Sequence, residues 1–127
     1  MGILIDTSVL VALERGDRDP ALRLDTDEQH HLSVVSAAEI LHGVHRATGR
    51  RAQTRSAFVE SLLADLAVLP IDLTVARAYA QASAALANAG TPVDANDLWI
   101  GATAIAHGLE VLAFDGDFDR IPGVVLA

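Results

Sequence analysis

Cysteine is absent from the 127 residues, which excludes disulfides, thiolate nucleophiles and cysteine-type zinc sites. Lysine is absent too: all nine basic residues are arginines, set against 17 acidic ones, for a net charge of −8. A chain so short of positive charge does not bind nucleic acid by broad electrostatic attraction. There is no uncharged apolar run of about eighteen residues or more, as a membrane-spanning helix would need. Met1 is followed almost at once by Asp6 and not by the basic segment of a signal peptide, so a cytoplasmic protein is expected. What is present is a 51% hydrophobic content, ample for the core of one domain spanning 1–127. Any chemistry must rest on carboxylates, histidines and hydroxyls.

Near the start, Ile3-Leu4-Ile5 stops at Asp6. Such a short β-branched run reads as a buried central strand, with Thr7 or Ser8 capping a helix through Val9-Leu10-Val11-Ala12-Leu13. Ligands sit at the carboxyl edge of an open α/β sheet, which puts Asp6 either at a chemical site or in a solvated cap. Residues 16–20 form a turn, and Pro20 opens a short helix to about residue 27. His30-His31 are surface residues just before a second strand, 32–35. Ser36-Ala37-Ala38-Glu39 opens the next helix with the spacing of a capping box. Glu39 is then either the capping group or a carboxylate at the same sheet edge as Asp6. His42 and His45 lie three apart, but the glutamate of the zinc-peptidase pattern is missing between them.

Apolar spacing predicts a helix over 52–66, with Phe58, Leu62, Leu63 and Leu66 facing the core or a partner. A strand over 68–71 and an Ala-rich helix over 74–89 follow, the helix closed by Gly90 as a left-handed cap. Tyr79 belongs to the core or an interface. Residues 98–107 are apolar on nearly all sides, a buried helix ended by Gly108, with Asp94, Asn96 or Asp97 as its cap. If Asp97 lies inside that helix, it points from the positive helix end toward the sheet edge. The last apolar run, 110–114, stops at Asp115-Gly116-Asp117, and the tail, 121–126, can form a short edge strand. Carboxylates from four distant segments thus arrive at one side of a sheet. Crowded acids repel one another, raising their pKa values and weakening the fold unless cations bind. Oxygen-only ligands suit Mg²⁺ or Mn²⁺, and such ions promote phosphodiester hydrolysis.

The runs Ile3-Leu4-Ile5-Asp6-Thr7-Ser8, Ser36-Ala37-Ala38-Glu39-Ile40-Leu41-His42-Gly43, Asn96-Asp97-Leu98-Trp99-Ile100-Gly101-Ala102 and Phe114-Asp115-Gly116-Asp117-Phe118 with Arg120-Ile121-Pro122-Gly123 resemble, in order, the motifs of PIN-domain ribonucleases. The nearest likeness is to VapC-type toxins of toxin–antitoxin pairs. The resemblance implies a three-layer α/β/α sandwich around a parallel sheet of four to five strands. It implies an Mg²⁺- or Mn²⁺-dependent endoribonuclease that forms homodimers and is neutralised by a VapB-type antitoxin. Asp6, Glu39, Asp97 and Asp115 would be the catalytic and metal-binding acids, with Asp117 as a substitute for Asp115. Thr7 and Ser8 would orient water or phosphate. Ala113-Phe114 departs from the family pattern, in which a Thr and a polar residue are common before this aspartate. Arg46, Arg50, Arg51 and Arg55 lie within ten positions and read as an Arg-rich helical surface, the first three being candidates for RNA contact.

Two other readings compete. Asp115-Gly116-Asp117 looks like the nucleophile motif of haloacid-dehalogenase-type phosphatases, although those enzymes carry it near the start of the domain. A non-catalytic α/β module could instead dock a basic partner on its acidic edge.

Overall fold

The computed structural model describes residues 2–16 and 29–127; the short helix expected over 20–27 lies outside the described residues. The elements in chain order are β1 (Ile3–Ile5), α1 (Thr7–Glu14), β2 (His30–Ser33), α2 (Val34–Arg46), α3 (Gly49–Asp65), β3 (Ala67–Leu69), α4 (Leu73–Ala89), α5 (Ala95–His107) and β4 (Glu110–Leu112). A 3-10 helix, Gly116–Arg120, follows. All strand pairs are parallel, in the order β3-β2-β1-β4.

The alternation of side chains along β1 explains the three layers. Ile3 and Ile5 enter one apolar cluster with Val9 and Leu10 of α1, Ala37 and Ile40 of α2, and Val59 of α3. Leu4 enters the other, with Ala82 and Leu86 of α4, Leu98, Ile100 and Ala104 of α5, and Phe118. A strand with apolar side chains on both faces has to be covered on both, which is why β1 is fully buried. The chain runs outward from β1 through β2 to β3, then returns to β4 on the other side of β1. That reversal puts the topological switch point between β1 and β4, and the crevice beyond their carboxyl ends is where such sheets take ligands. Asp6 and Asp115 flank it.

Several boundaries differ from the sequence reading. β2 pairs Ser33 with Leu69 and ends there, so His30 and His31 belong to the strand. α2 starts at Val34, and the Ser33 hydroxyl accepts from the Val35 N–H at 3.1 Å. The expected capping box at Ser36 is therefore not formed: Ser36 is buried inside the helix and its hydroxyl has no partner. Beyond Pro122-Gly123 the tail makes one parallel bridge, Leu126 to Val111, so the sheet has four strands and the expected edge strand is reduced to that contact. β4 stops at Leu112, leaving Phe114 outside it. The two left-handed caps are as expected, with φ of 69° at Gly90 and 65° at Gly108. Tyr79 stacks on Trp99 with ring centroids 3.8 Å apart, part of the packing between α4 and α5.

Candidate active site

Asp6 is the first residue after β1, and its Oδ2 accepts from the Ser8 N–H at 3.1 Å and the Ser8 hydroxyl at 2.6 Å. Asp6, not Thr7 or Ser8, therefore caps α1. The same local device recurs twice at this edge. Asp94 accepts from the Asn96 N–H at 3.1 Å and caps α5, while Asp115 accepts from the Asp117 N–H at 2.9 Å and caps the 3-10 helix. Helix starts tolerate gathered carboxylates because their unpaired N–H groups carry partial positive charge.

Thr7 and Ser8 each hold a carboxylate. Thr7 Oγ1 donates to Glu39 Oε1 at 2.7 Å, a bond open to Glu39 because it has no cap to serve. The Ser8 hydroxyl donates to Asp6 and also accepts from the Phe114 N–H at 3.0 Å, tying the end of β1 to the loop after β4. This cross-link was not legible in the sequence, because the two residues are 106 positions apart.

Asp97 lies in the first turn of α5. Burial first, then the charges of Asp115, Asp6, Asp94 and Asp117, push its carboxyl up to about 7. Asp97, Asp115 and Asp117 each offer an oxygen within 4.8 Å of the others. The tightest set thus includes Asp117, expected only as a substitute, and leaves out Asp6, whose charge still raises Asp97, and Glu39, which is placed by its bond from Thr7, the residue after Asp6. Asp6, only 4% exposed, acts on Asp97 through its charge. Glu39 shares a groove with Thr7, His42 and Asn96. Arg120 pairs with Asp117 and offsets part of the negative charge. Donors that are all oxygen and mutually repelling fit a hard divalent cation. Histidine has no comparable grouping among the described residues: His42 and His45 line different grooves.

From Thr7 and Glu39 a groove runs past Glu14, Arg15, Arg55 and Phe58 and continues into one lined by Arg50 and Arg51. Arg55 is held by Glu14 at 2.9 Å. Arg46, at the exposed end of α2, is not among the residues lining either groove.

The PIN domain model matches residues 3–124. The chain is 42% identical over 123 residues to Ribonuclease VapC5 of Mycobacterium tuberculosis, covering 94% of this chain and 87% of that protein. It is 36% identical over 125 residues to Ribonuclease VapC4 of the same organism, covering 95% and 92%. Its fold superimposes with a TM-score of 0.79 on a chain of VapBC-5 from M. tuberculosis, a member of the VapBC family of toxin-antitoxin systems, at 36% identity over 99% of this chain and 98% of that one. The Asp115-Gly116-Asp117 run follows the last strand of the sheet, not the first as the phosphatase reading requires. A parallel sheet whose carboxyl edge gathers acids from four segments, matched over almost its whole length, places this chain in the PIN-domain family, among the VapC ribonucleases.

Proposed function

We propose a metal-dependent mechanism for this VapC-type endoribonuclease, the toxin of a toxin–antitoxin pair. Asp97, Asp115 and Asp117, with Asp6 and Glu39 beside them, would hold Mg²⁺ or Mn²⁺, the metal-binding and catalytic role expected of these acids. When bound, such an ion supplies an activated water and stabilises charge developing on the phosphodiester. The chain's own residues prepare the site. Ser8 and Thr7 fix the rotamers of Asp6 and Glu39, and orient water or phosphate through them. Arg15, Arg50 and Arg51 offer guanidinium groups to backbone phosphates along the groove leading away from Glu39. Asp117 is tempered by Arg120. The observation that carries this reading is the meeting of three carboxylate oxygens within 4.8 Å, with Asp97 protonated up to about pH 7 when no cation offsets its neighbours.

A VapB-type antitoxin, supported by the likeness to VapBC-5 of a toxin-antitoxin system, and a second copy of the chain complete the proposal. In solution the isolated protein is expected at about twice its 13.3 kDa chain mass. No helix among the described residues is long and apolar enough to cross a membrane, and an RNA substrate points to work in the cytoplasm.

The test uses purified protein freed of antitoxin. It should cleave RNA with Mg²⁺ or Mn²⁺ and not in EDTA, and Asp6→Asn and Asp97→Asn should each abolish cleavage while keeping the wild-type circular dichroism. Cleavage that persists in EDTA would sink the metal-dependent mechanism.

A further inference from the structure

The aromatic side chains of this protein are few, five phenylalanine, tyrosine and tryptophan residues in all, and four of them have partners inside the molecule. Phe118 is fully buried, Phe58 packs against the first apolar cluster, and Tyr79 and Trp99 stack on each other. Phe114 is 48% exposed. It is the peptide neighbour of Asp115, one of the three clustered acids. Its backbone is also fixed, because its N–H donates to the Ser8 hydroxyl that in turn donates to Asp6. A half-exposed aromatic residue is thus tied by its backbone to the Ser8 hydroxyl that bonds Asp6, one position along the chain from Asp115.

We propose that Phe114 is a base-stacking residue: its ring receives a nucleobase next to the scissile phosphate and so sets the register of the RNA. The proposal rests on the ribonuclease reading of the same site. A phosphate held at these acids carries its own nucleoside, and half-exposed Phe114, next in the chain to Asp115, offers that base an aromatic face. Every base has a π-face, so an aromatic ring binds it without needing charge. That matters beside this cluster, where a positively charged stacking residue would be drawn onto the carboxylates, as Arg120 is onto Asp117.

The test compares wild type, Phe114→Ala and Phe114→Trp on a single-stranded RNA oligonucleotide cut by the wild type, and on the same oligonucleotide made abasic beside the cleaved bond. Binding is read by fluorescence anisotropy with Ca²⁺ in place of Mg²⁺, and cleavage as separate kcat and KM. Phe114→Ala is expected to weaken binding and raise KM about 5- to 150-fold, Phe114→Trp to restore both, and the abasic RNA to remove the difference between variants. The proposal is overturned if Phe114→Ala binds and cuts like wild type, or if its loss is the same on the abasic RNA. Unchanged RNA binding with a weakened antitoxin complex overturns it in favour of a partner anchor. Cleavage by all variants without the difference overturns the proposal and leaves the ribonuclease reading standing, whereas a wild type that cuts no RNA overturns both.

Discussion

At the scale of single residues, the site is a set of carboxylates, two of which, Asp6 and Glu39, are held by hydroxyl bonds of 2.6 and 2.7 Å. Asp97 shows what the crowding does. Its ordinary value is 3.8, raised to about 7 in the fold by burial and by the charges of Asp115, Asp6, Asp94 and Asp117. Across that window the folded state binds the extra proton, so this contribution to stability is complete below pH 3.8 and is lost as pH rises to about 7. The melting temperature of metal-free protein, minus that of Asp97→Asn, should therefore decline from pH 4 to pH 7.5. A flat difference in scanning fluorimetry would show that neither burial nor the neighbouring charges raise Asp97. In the proposed mechanism Thr7 positions Glu39: removing its 2.7 Å bond to Glu39 with Thr7→Val should lower kcat or metal affinity about 10- to 100-fold. Thr7→Ser, which keeps the donor, should retain most of both. Equal losses in the two variants would refute the role of the hydroxyl.

At the scale of elements, the short strands do little more than aim their last residues. β1 and β4 contribute three residues each, and the Asp6 N–H donates to the Leu112 carbonyl at 2.9 Å, holding the two acidic ends side by side. The 3-10 helix carries Asp117 and is anchored by Phe118, whose side chain is fully buried in the cluster with Leu98 and Ile121. Phe118→Ala should destabilise the fold by about 3–5 kcal/mol in urea unfolding. It should also weaken divalent binding by more than Phe118→Leu does, since Asp117 depends on that anchor. Normal metal binding in folded Phe118→Ala would show that the 3-10 helix is held by other contacts. α5 differs from the other helices in being buried along most of one long stretch, from Leu98 to Ala104, so Asp97 enters the site from a rigid support.

For the whole molecule, the acidic edge is a local cost that the proposed cation would offset. Mg²⁺ at about 100 times its dissociation constant should stabilise the protein by about 2.7 kcal/mol, seen as a rise in melting temperature that EDTA reverses. That rise should be absent in Asp97→Asn combined with Asp115→Asn, and its persistence there would place the cation elsewhere. The net charge of −8 gives the proposed mechanism a global sense, because a protein that repels RNA overall would need cations and the proposed Arg15, Arg50 and Arg51 groove to accept it.

Much of this was present in the chain itself. Apolar runs ending in acid announced β1 and β4, because the side-chain period of a buried strand and the abrupt change to a carboxylate are both local, but the order of strands in the sheet was not legible. Gly90 and Gly108 announced helix ends, because a left-handed residue favours glycine wherever it occurs. Caps were less legible: Ser33 and Ser36 are equally good caps in isolation, and only the pairing of Ser33 with Leu69 decided which of them begins α2. The acids that make the tightest cluster were a tertiary matter too. Asp115 and Asp117 look interchangeable along the chain, yet the 3-10 turn folds both toward Asp97, and the Ser8 link between Asp6 and Phe114 joins residues far apart in sequence. Which residues carry charge follows from local chemistry; which of them meet depends on the packing of helices on both faces of the sheet.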